Sequence, residues 1–160
     1  MQQTLPFDNA YAELFTFDAG GEVKEYQLML HVSNPRLTYH QQMEALLNAF
    51  ANIIEGPLHG AQAVFKRYFL SDAANQADEV IAADVSDCAK SIIQQAPLDG
   101  TKIALWCYLM TGVTTGVGTS GLYEVRHGAF CHLWNGSAHN LAANSEYQTR
   151  LLFKIGRAHV

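Results

Sequence analysis

The sequence is poor in charge. Lys, Arg, Asp and Glu make up 16% of its 160 residues, and the acidic excess leaves a net charge of -5. So little charge is low for a fully solvated surface, and is what a chain covered in part by a partner or a further domain would carry. The acidic balance argues against DNA or RNA as the main partner, because nucleic-acid binding draws on clustered cations. Long apolar runs are missing as well: none reaches the roughly 18 residues that a membrane span needs. The opening Met1-Gln2-Gln3-Thr4-Leu5-Pro6 has neither a basic nor an apolar segment, so it does not read as a signal peptide. Cysteine is scarce. Cys88, Cys107 and Cys131 have no metal-ligand spacing, and an odd number in a chain without a leader reads as reduced thiols in the cytosol.

What is present is apolar and periodic: 49% of the residues are hydrophobic, enough for one ordinary core or one core plus a fragment. Residues 12–18 read as a strand, Ala19-Gly20-Gly21-Glu22 as a turn, and residues 25–32 as a second strand with Tyr26, Leu28, Leu30 and Val32 on one face. Thr38 and Gln41 have the spacing of a capping box. Tyr39, Met43, Leu46, Leu47, Phe50, Ile53 and Ile54 then recur at helical period, and Gly56-Pro57 ends the helix. A strand at 63–70, a helix at 75–85 and strands at 91–96 and 102–110 follow, with Pro97-Leu98-Asp99-Gly100 as a turn. The order is β-β-α-β-α-β-β, an α+β arrangement. Residues 111–121, rich in Gly and Thr, read as a linker. After it the pattern restarts with a hairpin at 122–130 and 131–137 and the opening of a helix at 144–153, a weak internal repeat.

Several motifs invite chemistry. Gly116-Val117-Gly118-Thr119-Ser120-Gly121 matches G-x-G-x-x-G, but the dinucleotide fingerprint needs a helix next, and β-like Leu122-Tyr123-Glu124-Val125 follows. His127, His132 and His139 could converge on a metal in a hairpin, though no H-E-x-x-H or C-x-x-C accompanies them. Scattered, partly exposed histidines are the simpler reading, with no metal and no cofactor. Lys66-Arg67 among Phe65, Tyr68 and Phe69 could stack single-stranded RNA, but in an acidic chain it reads better as a sheet face against a partner. Ser33, Ser71 and Ser120 lie in no nucleophile elbow.

Three stretches together resemble the Rid (reactive intermediate deaminase) or YjgF-type family: the glutamine-led helix from Gln42 to Ile54, the strand 63–72 ending Leu70-Ser71-Asp72, and Ala89-Lys90-Ser91 running through Ala96-Pro97 to Lys102-Ile103-Ala104-Leu105-Trp106. The resemblance covers residues 12–110 and, less fully, 121–153. It implies a chorismate-mutase-like α+β fold assembled as a trimer, with sites between subunits. It also implies hydrolysis of 2-imino acids: an arginine holds the substrate carboxylate by paired hydrogen bonds and a glutamate positions water. At the arginine position this chain has Lys90, which keeps the charge but not the fork. Ser91 matches, and the glutamate position holds Trp106, or Ala104 in a register shifted by two. The complete domain, 1–112, is therefore expected to be inactive. A second, truncated unit at 122–154, beyond the linker 113–121, matches the family's substrate-binding positions at Tyr123, Gly136 and Ser137. Residues 155–160, Ile-Gly-Arg-Ala-His-Val, match the translation of a common sequencing adapter and are expected to be foreign to the natural protein. The implied function is imine deamination by a full-length form. The alternatives are a non-catalytic ligand-binding or scaffolding member, or a chorismate-converting enzyme of the same fold. The endoribonuclease label common in this family gains nothing from an acidic chain.

Overall fold

The computed structural model describes residues 1–118 and 122–136. Its elements in chain order are β1 (Gln2–Phe7), β2 (Ala10–Asp18), β3 (Lys24–Val32), α1 (Tyr39–Glu55), β4 (Gln62–Leu70), α2 (Ala73–Ala83), β5 (Ala89–Gln94), β6 (Ile103–Thr111), β7 (Thr114–Val117), β8 (Tyr123–His127) and β9 (Phe130–Trp134). From β2 to β6 the order is the β-β-α-β-α-β-β of the sequence, and the class is α+β. The first six strands form one mixed sheet, ordered β1-β2-β3-β6-β4-β5. β4 and β5 are parallel, joined through α2, and β6 runs antiparallel to both of its neighbours. As a central strand covered by the helices on one face and, at one end, by further strands on the other, β6 reads as a continuous apolar run rather than an alternation.

Both helices pack on one face of this sheet. Met43, Leu46, Ala49 and Ile53 of α1 and Ala73, Ala77 and Val80 of α2 share a core with Leu28, Leu30, Tyr68, Leu70, Leu105 and Leu109. The capping box forms as the spacing predicts: the Thr38 side chain accepts from the Gln41 N–H, and the Gln41 side chain accepts from the Thr38 N–H. Gln42 is fully buried in this layer. Its amide donates to the Leu37 carbonyl at 2.9 Å, and its oxygen accepts from the Lys102 N–H at 2.7 Å, which pins α1 to the start of β6. The glutamine therefore has a structural task here, tying the helix layer to the sheet.

Two expectations change. β1 was not foreseen, because Pro6 and a polar run hide it; proline is tolerated there because β1 is an edge strand. The stretch 113–121 is not all linker. Thr114–Val117 is a strand, paired antiparallel with β8. Together with β9 it makes a second, three-stranded sheet. Tyr123 and Val125 of that sheet are buried against Val64, Phe65, Cys88, Ala89 and Met110, on the side of the large sheet away from the helices. The opening of a third helix, at 144–153, lies outside the described residues.

Candidate functional site

Strand alternation decides which of the family-equivalent side chains can meet. In the parallel pair β4–β5, Lys66 stands beside Lys90 and Arg67 beside Ser91, while β6 brings Trp106 opposite Arg67. Lys66 faces the helices, where its ammonium lies 4.1 Å from the centre of the Phe50 ring, so Lys90 faces them too. Ser91 and Trp106 face the other way. Lys90 donates to the Asp84 main-chain carbonyl. The Trp106 indole donates to Gln27 Oε1 at 3.0 Å. Lys90 and Trp106 are thus on opposite faces of one sheet, each occupied, and form no joint site.

Around Asp84, just past the end of α2, lies a buried polar cluster. The Lys66 ammonium is 3.0 Å from both carboxylate oxygens, and the Tyr68 hydroxyl donates to one at 2.7 Å. Ser86 donates to the other through its hydroxyl at 2.7 Å and its N–H at 3.1 Å. Burial alone would push Asp84 up, but the Lys66 charge and the hydrogen bonds from Ser86, Tyr68 and Lys66 outweigh it and hold the carboxyl below its ordinary range. Burial and the neighbouring Asp84 push the Tyr68 phenol far up, so it stays a proton donor. None of these groups borders a described cavity, and the cluster reads as structural.

A cavity of about 480 Å³ does exist, between the β2–β3 turn and the β8–β9 hairpin. Phe17, Met110, Phe130 and Trp134 supply apolar walls. Two polar pairs face it. The Tyr108 hydroxyl donates to Glu25 Oε2 at 2.6 Å, and His127 and His132 meet nitrogen to nitrogen at 3.1 Å. Burial, then the Glu25 contact, pushes the Tyr108 phenol up, so it remains protonated. Behind the cavity, Trp134 packs against both Tyr108 and Phe65, with ring centres 5.4 and 5.9 Å apart. An apolar recess with a few convergent polar groups is the usual form of a small-molecule site.

Tyr123 and Gly136 do not line this cavity. The Tyr123 hydroxyl donates to the Ala63 carbonyl at 3.1 Å, which docks the small sheet onto β4. A Cβ on Gly136 would stand 2.4 Å from the Lys90 carbonyl oxygen, so the glycine permits close approach to β5 rather than to a ligand. Ser137 lies outside the described residues, as does His139. In the G-x-G-x-x-G stretch, Gly116 belongs to β7, and the Gly118 N–H donates to the Leu122 carbonyl at 2.9 Å. The described elements on either side of the stretch are the strands β7 and β8, and neither offers a helix N-terminus to a phosphate. Among the described residues no three His, Cys, Asp or Glu side chains cluster to hold a metal.

Sequence reasoning missed the cavity because its walls come from three separated segments, 17–25, 108–110 and 127–134. The individual signals were visible: Tyr108 on the outward side of β6, and the His127–His132 spacing. Comparison with protein-family models, curated proteins and solved structures gave no match.

Proposed function

We propose that this chain is a Rid/YjgF-type domain that holds a small molecule and does not hydrolyse one. The β-β-α-β-α-β-β order between β2 and β6 supports the family reading. The observation that carries the functional reading is the split of Lys90 and Trp106 to opposite faces of the sheet, while the apolar recess beside the β8–β9 hairpin is lined by neither of them. Imine hydrolysis needs a carboxylate clamp and a water-positioning group at a single reacting carbon. Lys90 and Trp106 cannot supply both. The hydrolytic version of the reading requires an arginine and a glutamate at one reacting carbon, in place of Lys90 and Trp106.

The recess fits a compact aromatic or branched apolar molecule with a hydrogen-bond donor. Glu25 already accepts from Tyr108 through one oxygen and has the other for a ligand amine. Self-association, as the resemblance implies, belongs to the same proposal, through the face of the large sheet away from the helices.

Two measurements test it. Ammonia release from a freshly generated 2-imino acid should not exceed the buffer rate; turnover that disappears in Lys90→Ala overturns the non-catalytic reading. Titration with phenethylamine should quench tryptophan fluorescence through Trp134, and Glu25→Gln should weaken that binding by about tenfold, the loss of a charge-assisted hydrogen bond. Equal binding of phenethylamine by the wild type and Glu25→Gln would remove the recess as its site.

A further inference from the structure

The register of the β8–β9 hairpin pairs His127 with Phe130 and Val125 with His132. His127 and His132 are therefore diagonal neighbours on one face of the ribbon, an arrangement in which long or aromatic side chains from two strands meet. Their Nε2 atoms are 3.1 Å apart and their ring planes differ by 15°. In the neutral pair one Nε2–H donates and the other Nε2 accepts.

We propose that this pair chelates a late divalent transition cation, such as Ni²⁺, Cu²⁺ or Zn²⁺, at the wall of the cavity. The spacing is the first argument. Metal–imidazole bonds of about 2.0–2.1 Å from nitrogens at this separation subtend about 100° at the metal, between the cis-octahedral and tetrahedral angles. The second is that little must move. Each ring turns about its terminal torsion, which is broad for histidine, and His127 is half-buried and His132 exposed, so both have room. The third is chemistry. Imidazole ligands favour copper, nickel and zinc over magnesium and calcium.

Binding balances without a redox step. Both Nε2 lone pairs form bonds to the cation. The ring that carried its proton on Nε2 takes the Nδ1–H tautomer, so neither histidine gives up a proton to solvent. Since no third His, Cys, Asp or Glu joins the pair among the described residues, water takes the other positions. Those positions face the recess shared with Glu25 and Tyr108. A cation held this way could take a ligand donor in place of water. The site does not depend on whether the recess binds an organic molecule.

The test is titration of the whole chain with NiCl₂ and, separately, ZnCl₂ by calorimetry at neutral pH. One cation per chain is expected. Because chelation makes the second nitrogen intramolecular, His127→Ala and His132→Ala should each weaken binding by about 100-fold, and the double variant little more than either. His59→Ala, an exposed histidine in the α1–β4 connection, should leave it unchanged. Nitrogen NMR should show both rings as Nδ1–H tautomers on saturation. Binding that survives in the double variant lies elsewhere in the chain and overturns the proposal, as does an absence of wild-type binding up to millimolar cation. Both histidines are at the hairpin surface, so the variants are expected to fold; unchanged circular dichroism checks this.

Discussion

Asp84 shows what a single residue can be made to hold. One carboxylate, 6% exposed, meets an ammonium that is 2% exposed, a phenol and a serine hydroxyl. Removing one member of a buried ion pair strands the other, which costs about 3–5 kcal/mol, whereas replacing both with apolar groups is often neutral. Asp84→Ala should therefore lower stability by about that amount, because it leaves Lys66 against the Phe50 ring with no counter-charge. Lys66→Met combined with Asp84→Leu should recover most of it; urea unfolding measures both. The pH dependence follows from the lowered carboxyl pKa. Its stabilisation is complete above the unfolded carboxylate value, about 3.9, and is lost as pH falls through the lower folded value. The paired variant should lack this acid-side loss. The sequence reading of Lys66-Arg67 as one face toward a partner fails for Lys66, which points to the helices, although part of the reason was legible. Lys66 alternates with Tyr68 and Leu70, and a lysine in the inward set of a strand requires a buried partner. The identity of that partner was not, since Asp84 reaches Lys66 only through the α2 crossover.

Among the elements, those with a local pattern were readable, the apolar strands included, and those that rest on pairing alone were not. α1 was legible to its caps because the capping box, the apolar stripe and the terminal glycine all act within a few residues. β7 was not. A short run of threonine and glycine has no local reason to be a strand, and it becomes one only by pairing with β8. The turn leading into it depends on Gly112, whose φ is +72° and whose absent Cβ would lie 2.3 Å from the Glu22 carbonyl oxygen. Gly112→Ala would need a left-handed conformation that costs about 1–2 kcal/mol for an L-residue, and it would also press on the β2–β3 turn. It should lower the melting temperature and loosen the cavity wall. Gly116→Ala, within β7, meets nothing within 4 Å. It should be neutral or stabilising, because glycine weakens a strand. A larger loss for Gly116→Ala than for Gly112→Ala would contradict the role given to this turn.

At the scale of the whole molecule, the second sheet is not left hanging. The sequence has Leu122, Phe130, Leu133, Trp134 and Phe153 in and after this hairpin, and a bare hairpin would leave such side chains open to water. Instead Trp134 is half-buried against Phe65 and Tyr108, and Leu122 is half-buried; Phe130 and Leu133 are 66% and 57% exposed, and Phe153 lies outside the described residues. This docking builds the recess, which is why no single stretch of sequence announced it. It covers only one end of the large sheet's outer face. Across the middle runs the row Glu13, Met29, Trp106, Arg67, Ser91, set by the strand registers. Beside it Phe15 and Phe17 are 45% and 63% exposed. Arg67 lies over Phe65 and Trp106, and its buried Nε has no acceptor among the described residues. An apolar face that carries both an unmatched guanidinium and a carboxylate is suited to a second copy of itself, whose Glu13 could meet Arg67. Sedimentation velocity across a concentration series should therefore show mass rising above that of one chain. Phe15→Glu, a change at a side chain already half in water, should return it to the monomer with little loss of folding stability. A monomer at every concentration would remove the assembly proposal and leave this face open to a different protein.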